Sequence, residues 1–316
     1  MHKKVLLALA ASAVLVSAMP SASYAQGQTT EWAVHAANQY QVIPNVVYMD
    51  YNGYQSKLDV YKRRDSQAAQ PTLVFYHGGG WVRGTKESSF MSVMPWLEMG
   101  WNVVSVEYRM ANVALAPAAV EDSVCALRHV VQKAKDYGVD PAKIVVTGES
   151  AGGHLALVVG MAPEGAGFAR PCAGGGFRAS DTTVPKVAAI VNWYGITDVA
   201  EMLSGPNARD YAVQWLGSMH NRDEVAKAVS PLTYATRAGL PPILSIQGDA
   251  DPIVPYSQNV RLTDALKKAG ANTELFTVPK GGHGNFSAAE RTQIYAKIRE
   301  FLQKNGLGTP ATNSTR

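Results

Sequence analysis

From residue 71 onward, short apolar runs alternate with amphipathic helical stretches, and this alternation restricts the possible folds more than any other feature of the chain. Each apolar run is almost continuously hydrophobic, which is typical of strands covered on both faces. The alternation therefore predicts a doubly wound, mostly parallel α/β sheet. The predicted strands are 72–76, 102–106, 143–147, 187–192, 242–247 and 273–278, and the predicted helices are 118–137, 151–161, 257–269 and 288–305.

Two β-rich runs, 45–48 and 57–61, precede this region and flank a turn at Asn52-Gly53, which predicts a hairpin at the sheet edge. The sheet then has about eight strands. Since no linker interrupts the pattern, we expect one domain over about residues 30–306 and a flexible tail over 307–316. Two stretches, about 163–185 and 198–239, break the alternation near the carboxyl edge of the sheet, where open α/β folds bind ligands. We interpret them as helical lid and pocket insertions.

The amino-terminal segment has the three parts of a secretory signal peptide. Lys3 and Lys4 precede an apolar block over residues 5–16, and small residues follow up to Ala25. The block is shorter than the roughly 20 residues that span a bilayer. We therefore expect cleavage near Ala25 and a periplasmic or secreted protein without a membrane anchor.

Export changes the interpretation of the two cysteines, Cys125 and Cys172, because an oxidising compartment permits disulfides. They are candidates for one disulfide, and two buried free thiols are the alternative. Neither cysteine has nearby histidine or aspartate at ligand spacing, so no metal site is expected. The formal net charge of +4 falls to +2 without Lys3 and Lys4, and it gives no indication of a nucleic-acid partner.

A serine pattern follows the predicted strand 143–147. Gly148-Glu149-Ser150-Ala151-Gly152 matches G-x-S-x-G between a buried strand and a helix, the setting that this motif requires. The flanking glycines make room for a serine held in a strained turn. Ser150 is thus the candidate nucleophile, and an N-capping serine at a glycine-rich helix start is the alternative.

A serine hydroxyl needs a base to take its proton. His283 lies in a glycine-rich loop directly after strand 273–278, and no other histidine occurs beyond residue 220. His154 lies one helical turn after Ser150 and is interpreted as packing or pocket lining. Beyond the leader, four further histidines have structural interpretations: His35, His77, His129 and His220.

The imidazole needs a carboxylate to hold its reactive tautomer. Asp249 and Asp251 both follow strand 242–247, and the rigid Pro252-Ile253-Val254-Pro255 segment after Asp251 favours that residue. Asp249 could instead brace the turn, and Asp198 is a third candidate. The order serine, aspartate, histidine is that of α/β-hydrolases.

The tetrahedral intermediate of acyl transfer needs backbone N–H groups near the serine. His77-Gly78-Gly79-Gly80-Trp81 directly follows strand 72–76 and matches the oxyanion loop of esterases. The N–H of Ala151 is the second expected donor.

These motifs together resemble the hormone-sensitive-lipase-like branch of the α/β-hydrolases, and more closely the bacterial feruloyl and xylan-type carboxylesterases. The resemblance extends from about residue 71 to the final helix. Met110-Ala111-Asn112 departs from the usual Leu-Ala-Pro-like continuation, at the rim of the acyl pocket. The stretches that carry the resemblance are 77–81, 106–109, 117–122, 148–153, 248–255 and 281–284.

The resemblance implies a serine carboxylesterase that hydrolyses short-chain or aromatic esters through an acyl-enzyme and needs no cofactor or metal, and the leader implies that it is exported. It assigns Gly79, Gly80 and Ala151 as oxyanion donors and implies a small ester or ester-decorated saccharide as partner. An arylformamidase-like amide hydrolase is the alternative, and a non-catalytic binding module on the same fold is a further one. Aromatic and histidine side chains that could line the substrate pocket, or belong to the core, are Trp81, His154, Trp193, Tyr194, Tyr211 and Trp215.

Overall fold

The structure, a computed structural model, describes residues 31, 33–175 and 183–308. The predicted leader, the centre of the glycine-rich stretch and most of the predicted tail lie outside the described residues. The chain divides into an amino-terminal unit, Met1–Asn38, and a second unit, Gln39–Arg316. In the first unit, residues 31 and 33–38 are helical. No helix among the described residues is long and apolar enough to cross a membrane.

The second unit is built on an eight-stranded sheet in the order β1-β2-β4-β3-β5-β6-β7-β8. β1 pairs antiparallel with β2, β2 pairs antiparallel with β4, and all other neighbours are parallel. The predicted α/β fold is thereby confirmed. The strands are β1 Tyr40–Tyr51, β2 Tyr54–Arg63, β3 Gln70–Tyr76, β4 Asn102–Val106, β5 Val139–Glu149, β6 Ala189–Trp193, β7 Ile243–Gly248 and β8 Thr273–Val278.

Helices cover both faces of the sheet. The α-helices are α1 Phe90–Glu98, α2 Ala118–Gln132, α3 Ala134–Tyr137, α4 Ala151–Met161, α5 Asp210–Leu216, α6 Arg222–Ala228, α7 Tyr256–Lys268 and α8 Ala288–Lys304. Side chains of α2, α4 and α7 fill the core on one face, and those of α1 and α8 fill the core on the other. Short 3₁₀ segments occupy Glu87–Ser89, Glu164–Ala166, Arg170–Gly175, Ala200–Met202, Gly205–Asn207 and Pro231–Tyr234.

The structure lengthens several predicted strands and divides one predicted helix. The hairpin strands are longer than expected, with Asn52 and Gly53 both at positive φ in the tight turn between them. The predicted helix 118–137 is two helices, because Lys133 departs from helical geometry before α3 ends at Gly138, whose φ of 65° is typical of a helix terminus.

Cys125 of α2 and Cys172 of the segment Arg170–Gly175 form a disulfide, which confirms the predicted pairing. Both cysteines are buried. The bond ties α2 to the stretch that precedes β6.

Candidate active site

Ser150 lies in the sharp turn between β5 and α4, with φ 56° and ψ −117°. A non-glycine residue in this region is strained, at a cost of about 1–3 kcal/mol. The turn needs its glycines because a Cβ on Gly148 would lie 2.4 Å from the carbonyl carbon of Gly152, and one on Gly152 would lie 1.9 Å from the Tyr76 oxygen. The N–H of Ser150 donates to the Trp193 oxygen at 2.9 Å. The hydroxyl is thus presented at the carboxyl edge of the sheet.

The structure brings Ser150, His283 and Asp251 together. His283 Nε2 lies 2.9 Å from Ser150 Oγ, and Nδ1 lies 2.8 Å from Asp251 Oδ2. The imidazole is 17% exposed and the carboxylate is fully buried. These contacts form an unbroken chain from hydroxyl to carboxylate, the arrangement that raises the nucleophilicity of a serine.

Asp251 accepts several hydrogen bonds besides that to His283. The N–H groups of Ile253 and Val254 donate to Oδ1 at 2.8 and 3.0 Å, and the Gln247 side-chain amide donates to Oδ2 at 3.1 Å. Burial alone would raise the pKa of Asp251, but its hydrogen bonds and the attraction of His283 outweigh that cost and hold the pKa below its usual value. The carboxylate therefore stays charged in a buried position.

The two other candidate acids lie elsewhere. Asp249 Oδ1 accepts from the backbone N–H of Lys280 at 2.5 Å, which braces the turn before the His283 loop. Asp198 Oδ2 forms an ion pair with Nη1 of Arg261, a residue of α7, at 3.3 Å. Of the three aspartates, Asp251 is the one that the structure places against His283.

Within the described part of the chain, the backbone N–H groups of Gly79, Gly80 and Ala151 beside Ser150 have no acceptor. Gly79, Gly80 and Trp81 have consecutive positive φ values of 117°, 63° and 59°. This path turns the loop after β3 toward Ser150. Gly78 lies close to the Ser150 turn, since a Cβ on Gly78 would be 3.6 Å from Ser150 Cβ.

The ring of Trp81 holds this loop from beneath. It stacks on Trp215 of α5 with centroids 4.1 Å apart, and its indole N–H donates to His154 Nδ1 at 3.2 Å. The other nitrogen of His154 donates to the Val229 oxygen at 2.7 Å, so the imidazole is neutral with its proton on Nε2. Burial lowers the pKa of His154 to about 3.

The pocket beside Ser150 has a volume of about 270 Å³. Of the six aromatic and histidine candidates, Tyr194 and Tyr211 line it, and the other four are buried in the core: Trp81, His154, Trp193 and Trp215. Burying a large aromatic ring in the core stabilises the fold more than leaving it partly exposed on a pocket wall. Trp193 packs against Tyr295 on the opposite face of the sheet. The lining residues are Gly78, Gly79, Gly80, Arg83, Glu149, Ser150, Tyr194, Tyr211, Ile253 and His283.

Arg83, Glu149 and Ile253 were not predicted as pocket residues. Each lies within three residues of a predicted motif position, so proximity in sequence was the available signal. Tyr211 comes from the predicted insertion 198–239, whereas none of the described residues of the insertion 163–185 lines this pocket. Among the residues described, no group of three or more histidine, cysteine or acidic side chains could hold a metal ion.

Comparison with known proteins relates this geometry to esterases. The chain matches the BD-FAE family over residues 58–266 and the TAP-like family Abhydrolase_4 over residues 219–315. Esterase LipQ of Mycobacterium tuberculosis is 29% identical over 262 residues, which cover 79% of this chain and 59% of LipQ. Carboxylesterase NlhH of the same organism is 30% identical over 236 residues, covering 70% of each protein. The chain spans just over half of LipQ and of esterase LipC, at 59% and 56% of their lengths.

Solved structures agree with the sequence matches. The thermophilic esterase Est2 of Thermogutta terrifontis is 27% identical, with a TM-score of 0.69 over 87% of this chain and 95% of Est2. A truncated carbohydrate esterase from gut microbiota is 28% identical, with a TM-score of 0.71 over 85% of this chain and 97% of that protein.

Proposed function

The chain belongs to the BD-FAE family, and from this premise we propose that it is a serine carboxylesterase with Ser150, His283 and Asp251 as its catalytic triad. The observation that carries the proposal is the pair of contacts from Ser150 Oγ to His283 Nε2 at 2.9 Å and from His283 Nδ1 to Asp251 Oδ2 at 2.8 Å. The names of related proteins, esterases and carboxylic ester hydrolases, support the same reaction.

The proposed reaction is acyl transfer in two steps. Ser150 Oγ attacks the ester carbonyl carbon while His283 Nε2 takes the hydroxyl proton, and Asp251 stabilises the imidazolium that forms. The N–H groups of Gly79, Gly80 and Ala151 receive the negative charge on the carbonyl oxygen. His283 then returns the proton to the departing alcohol, and water, activated by the same imidazole, hydrolyses the acyl-enzyme.

We further propose that the substrates are small esters, with a short acyl chain or an aromatic group. A pocket of about 270 Å³ lies just below the usual size of ligand sites, roughly 300–1,000 Å³, and this favours a small substrate. Est2 is known with propionate and with butyrate bound, and another structural relative is a carbohydrate esterase. These relatives favour short acyl groups and allow an ester-decorated saccharide as the alcohol.

Export is part of the proposal. Its support is the composition of residues 1–25, which matches a signal peptide, together with the disulfide Cys125–Cys172. The amino terminus of the protein recovered from a periplasmic or culture fraction should then be Gln26. Recovery of uncleaved protein in the cytosol alone would contradict export without affecting the proposed reaction.

The test of the activity is Ser150→Ala, assayed with p-nitrophenyl acetate. We expect kcat to fall by roughly 10⁶, as in a comparable enzyme without its nucleophile. Ser204→Ala, at an exposed serine, is the matched control and should retain full activity. If Ser150→Ala turned over the substrate as fast as the wild-type protein, Ser150 would not be the nucleophile. Faster hydrolysis of an aryl formamide than of any ester in a panel would favour the amide-hydrolase alternative.

A further inference from the structure

The wall of the pocket beside the oxyanion loop carries two hydrogen-bond donors that the proposed mechanism does not use. Arg83 is exposed at the pocket, and no described residue forms a hydrogen bond or ion pair with its guanidinium. The hydroxyl of Tyr211 is buried and has no hydrogen-bond partner among the described residues. Both side chains line the same pocket as Ser150.

Neighbouring side chains of the same kinds are occupied. Arg209 donates to the backbone oxygens of Pro252 and Ile253, and Arg291 donates to the Gly284 oxygen. The buried hydroxyls of Tyr76 and Tyr108 donate to the backbone oxygens of Ser123 and His77. Buried polar groups are normally satisfied in this way, so the buried Tyr211 hydroxyl is set apart from those of Tyr76 and Tyr108. Arg83 is exposed, and it differs from Arg209 and Arg291 in having no hydrogen-bond partner among the described residues.

Their positions relate them to the reacting ester. A Cβ on Gly79 would lie 3.2 Å from Arg83 Cγ, and a Cβ on Gly80 would lie 2.8 Å from Tyr211 Cβ and Cγ. The bases of the two side chains therefore lie beside the two glycines proposed to hold the carbonyl oxygen of the substrate. In a bound ester, a group a few bonds away from the scissile carbonyl would lie near Arg83 and Tyr211.

The charge on this wall favours an anion. Burial raises the pKa of Tyr211 to about 12, so its hydroxyl is a donor at neutral pH. Glu149 is the acidic residue among those that line the pocket, and burial raises the pKa of its carboxyl group, which disfavours the charged form. Asp251, whose charge also acts on Tyr211, is not a lining residue, and it is hydrogen-bonded to His283. Among the described residues, no carboxylate lies within salt-bridge distance of the Arg83 guanidinium, so its positive charge is not neutralised by one of them.

We propose that Arg83 and Tyr211 form a subsite for a carboxylate on the substrate, so that the enzyme prefers esters carrying a negative charge near the scissile bond. The guanidinium binds the carboxylate through charge-assisted hydrogen bonds, which are stronger than neutral ones, and Tyr211 supplies a further donor. This inference rests on the proposed esterase activity.

Two matched substrate pairs test the subsite. On the alcohol side, 4-acetoxybenzoate is compared with methyl 4-acetoxybenzoate. On the acyl side, the p-nitrophenyl ester of adipate is compared with the same ester whose second carboxyl group is methylated. In at least one pair we expect kcat/KM for the anionic ester to exceed that for the neutral ester by about tenfold. Raising the ionic strength to about 1 M, where the screening length is about 3 Å, should remove most of that preference.

The variants assign the preference to the two side chains. Arg83→Gln should lower the ratio of anionic to neutral kcat/KM by about tenfold, and Tyr211→Phe should lower it by about threefold. Arg222→Gln, which changes an arginine of α6 outside the pocket, is the matched control and should keep the wild-type ratio. Thermal melts of all variants show that each is folded.

Each outcome bears on one proposal. Equal or lower kcat/KM for the anionic ester in both pairs, or an unchanged ratio in folded Arg83→Gln, overturns the anion subsite. Failure of the wild-type protein to hydrolyse any of the four esters overturns the proposed carboxylesterase activity itself.

Discussion

The two sides of the site that meet at Ser150 are held by different forces. The oxyanion loop, residues 77–84, rests on stacked rings: Trp81 lies on Trp215 at 4.1 Å, and His77 lies on Tyr108 at 4.3 Å. The acid–base loops, residues 249–255 and 280–284, are held by hydrogen bonds, among them those that Asp251 accepts and the bond between Asp249 and the Lys280 N–H.

We relate the difference to what each side would present to a substrate. The proposed oxyanion loop would present backbone N–H groups, which carry no net charge, so packed rings can supply most of its support, together with hydrogen bonds such as that from Trp81 to His154. The other side holds a charged carboxylate, and a buried charge must be paired and hydrogen-bonded. Packing thus maintains a strained backbone on one side, and a polar network maintains a charge on the other.

Of the changes that test this comparison, we expect the largest effect from removing the buried charge on the acid–base side. Asp251→Asn should lower kcat by about 10⁴, since an amide at this position leaves the imidazole in the wrong tautomer. Asp249→Asn keeps an oxygen that can accept from Lys280 N–H, and we expect it to change the free energy of unfolding by about 1 kcal/mol with little loss of kcat. Steady-state kinetics and urea denaturation of both variants measure the two effects. A reversed result would identify Asp249 as the acid.

A smaller effect should follow from breaking the apolar side. Trp215→Ala removes a fully buried ring beneath Trp81 and should lower the free energy of unfolding by about 3–5 kcal/mol. The indole N–H of Trp215 has no described hydrogen-bond partner. Trp215→Phe keeps a ring and loses no hydrogen bond, so we expect it to cost less than half as much. Denaturant melts compare them, and equal losses would show that ring packing is not the main support.

A third effect, which is small near neutral pH, concerns acid. The pKa of His154 is lowered by burial to about 3, whereas an unfolded histidine titrates near 6.5. Between about pH 6.5 and 3 the unfolded chain therefore binds a proton that the folded chain does not. The free energy of unfolding then falls as the pH falls, by up to about 1.4 kcal/mol per pH unit from this residue.

The variant His154→Gln sharpens this point. A glutamine amide can accept from Trp81 and donate to the Val229 oxygen, as the imidazole does, but it does not titrate. Urea melts from pH 7 to pH 4 should show a shallower loss of stability than in the wild-type protein. His220→Gln, at an exposed histidine, is the control. A slope identical to that of the wild-type protein would show that His154 is not a source of acid sensitivity.

The sequence by itself determined the alternation of strands and helices, and hence the doubly wound sheet, because strands covered on both faces are recognisable as short apolar runs. It also placed Ser150 in a strand–turn–helix motif and His283 in a loop after the last strand, since both are local patterns read within a few residues. The disulfide partners followed from there being two cysteines in the chain.

Only the tertiary structure decided among the three aspartates and placed the aromatic side chains. Asp249 and Asp251 are two residues apart, and the path of the loop between β7 and α7 determines which carboxylate lies against the imidazole. Trp81 and His154 lie in the core rather than in the pocket. The side-chain orientation of Trp81 depends on Trp215 of α5, on which its ring stacks. Such contacts join residues far apart in the chain, as Trp81 and Trp215 are, and no local pattern contains them.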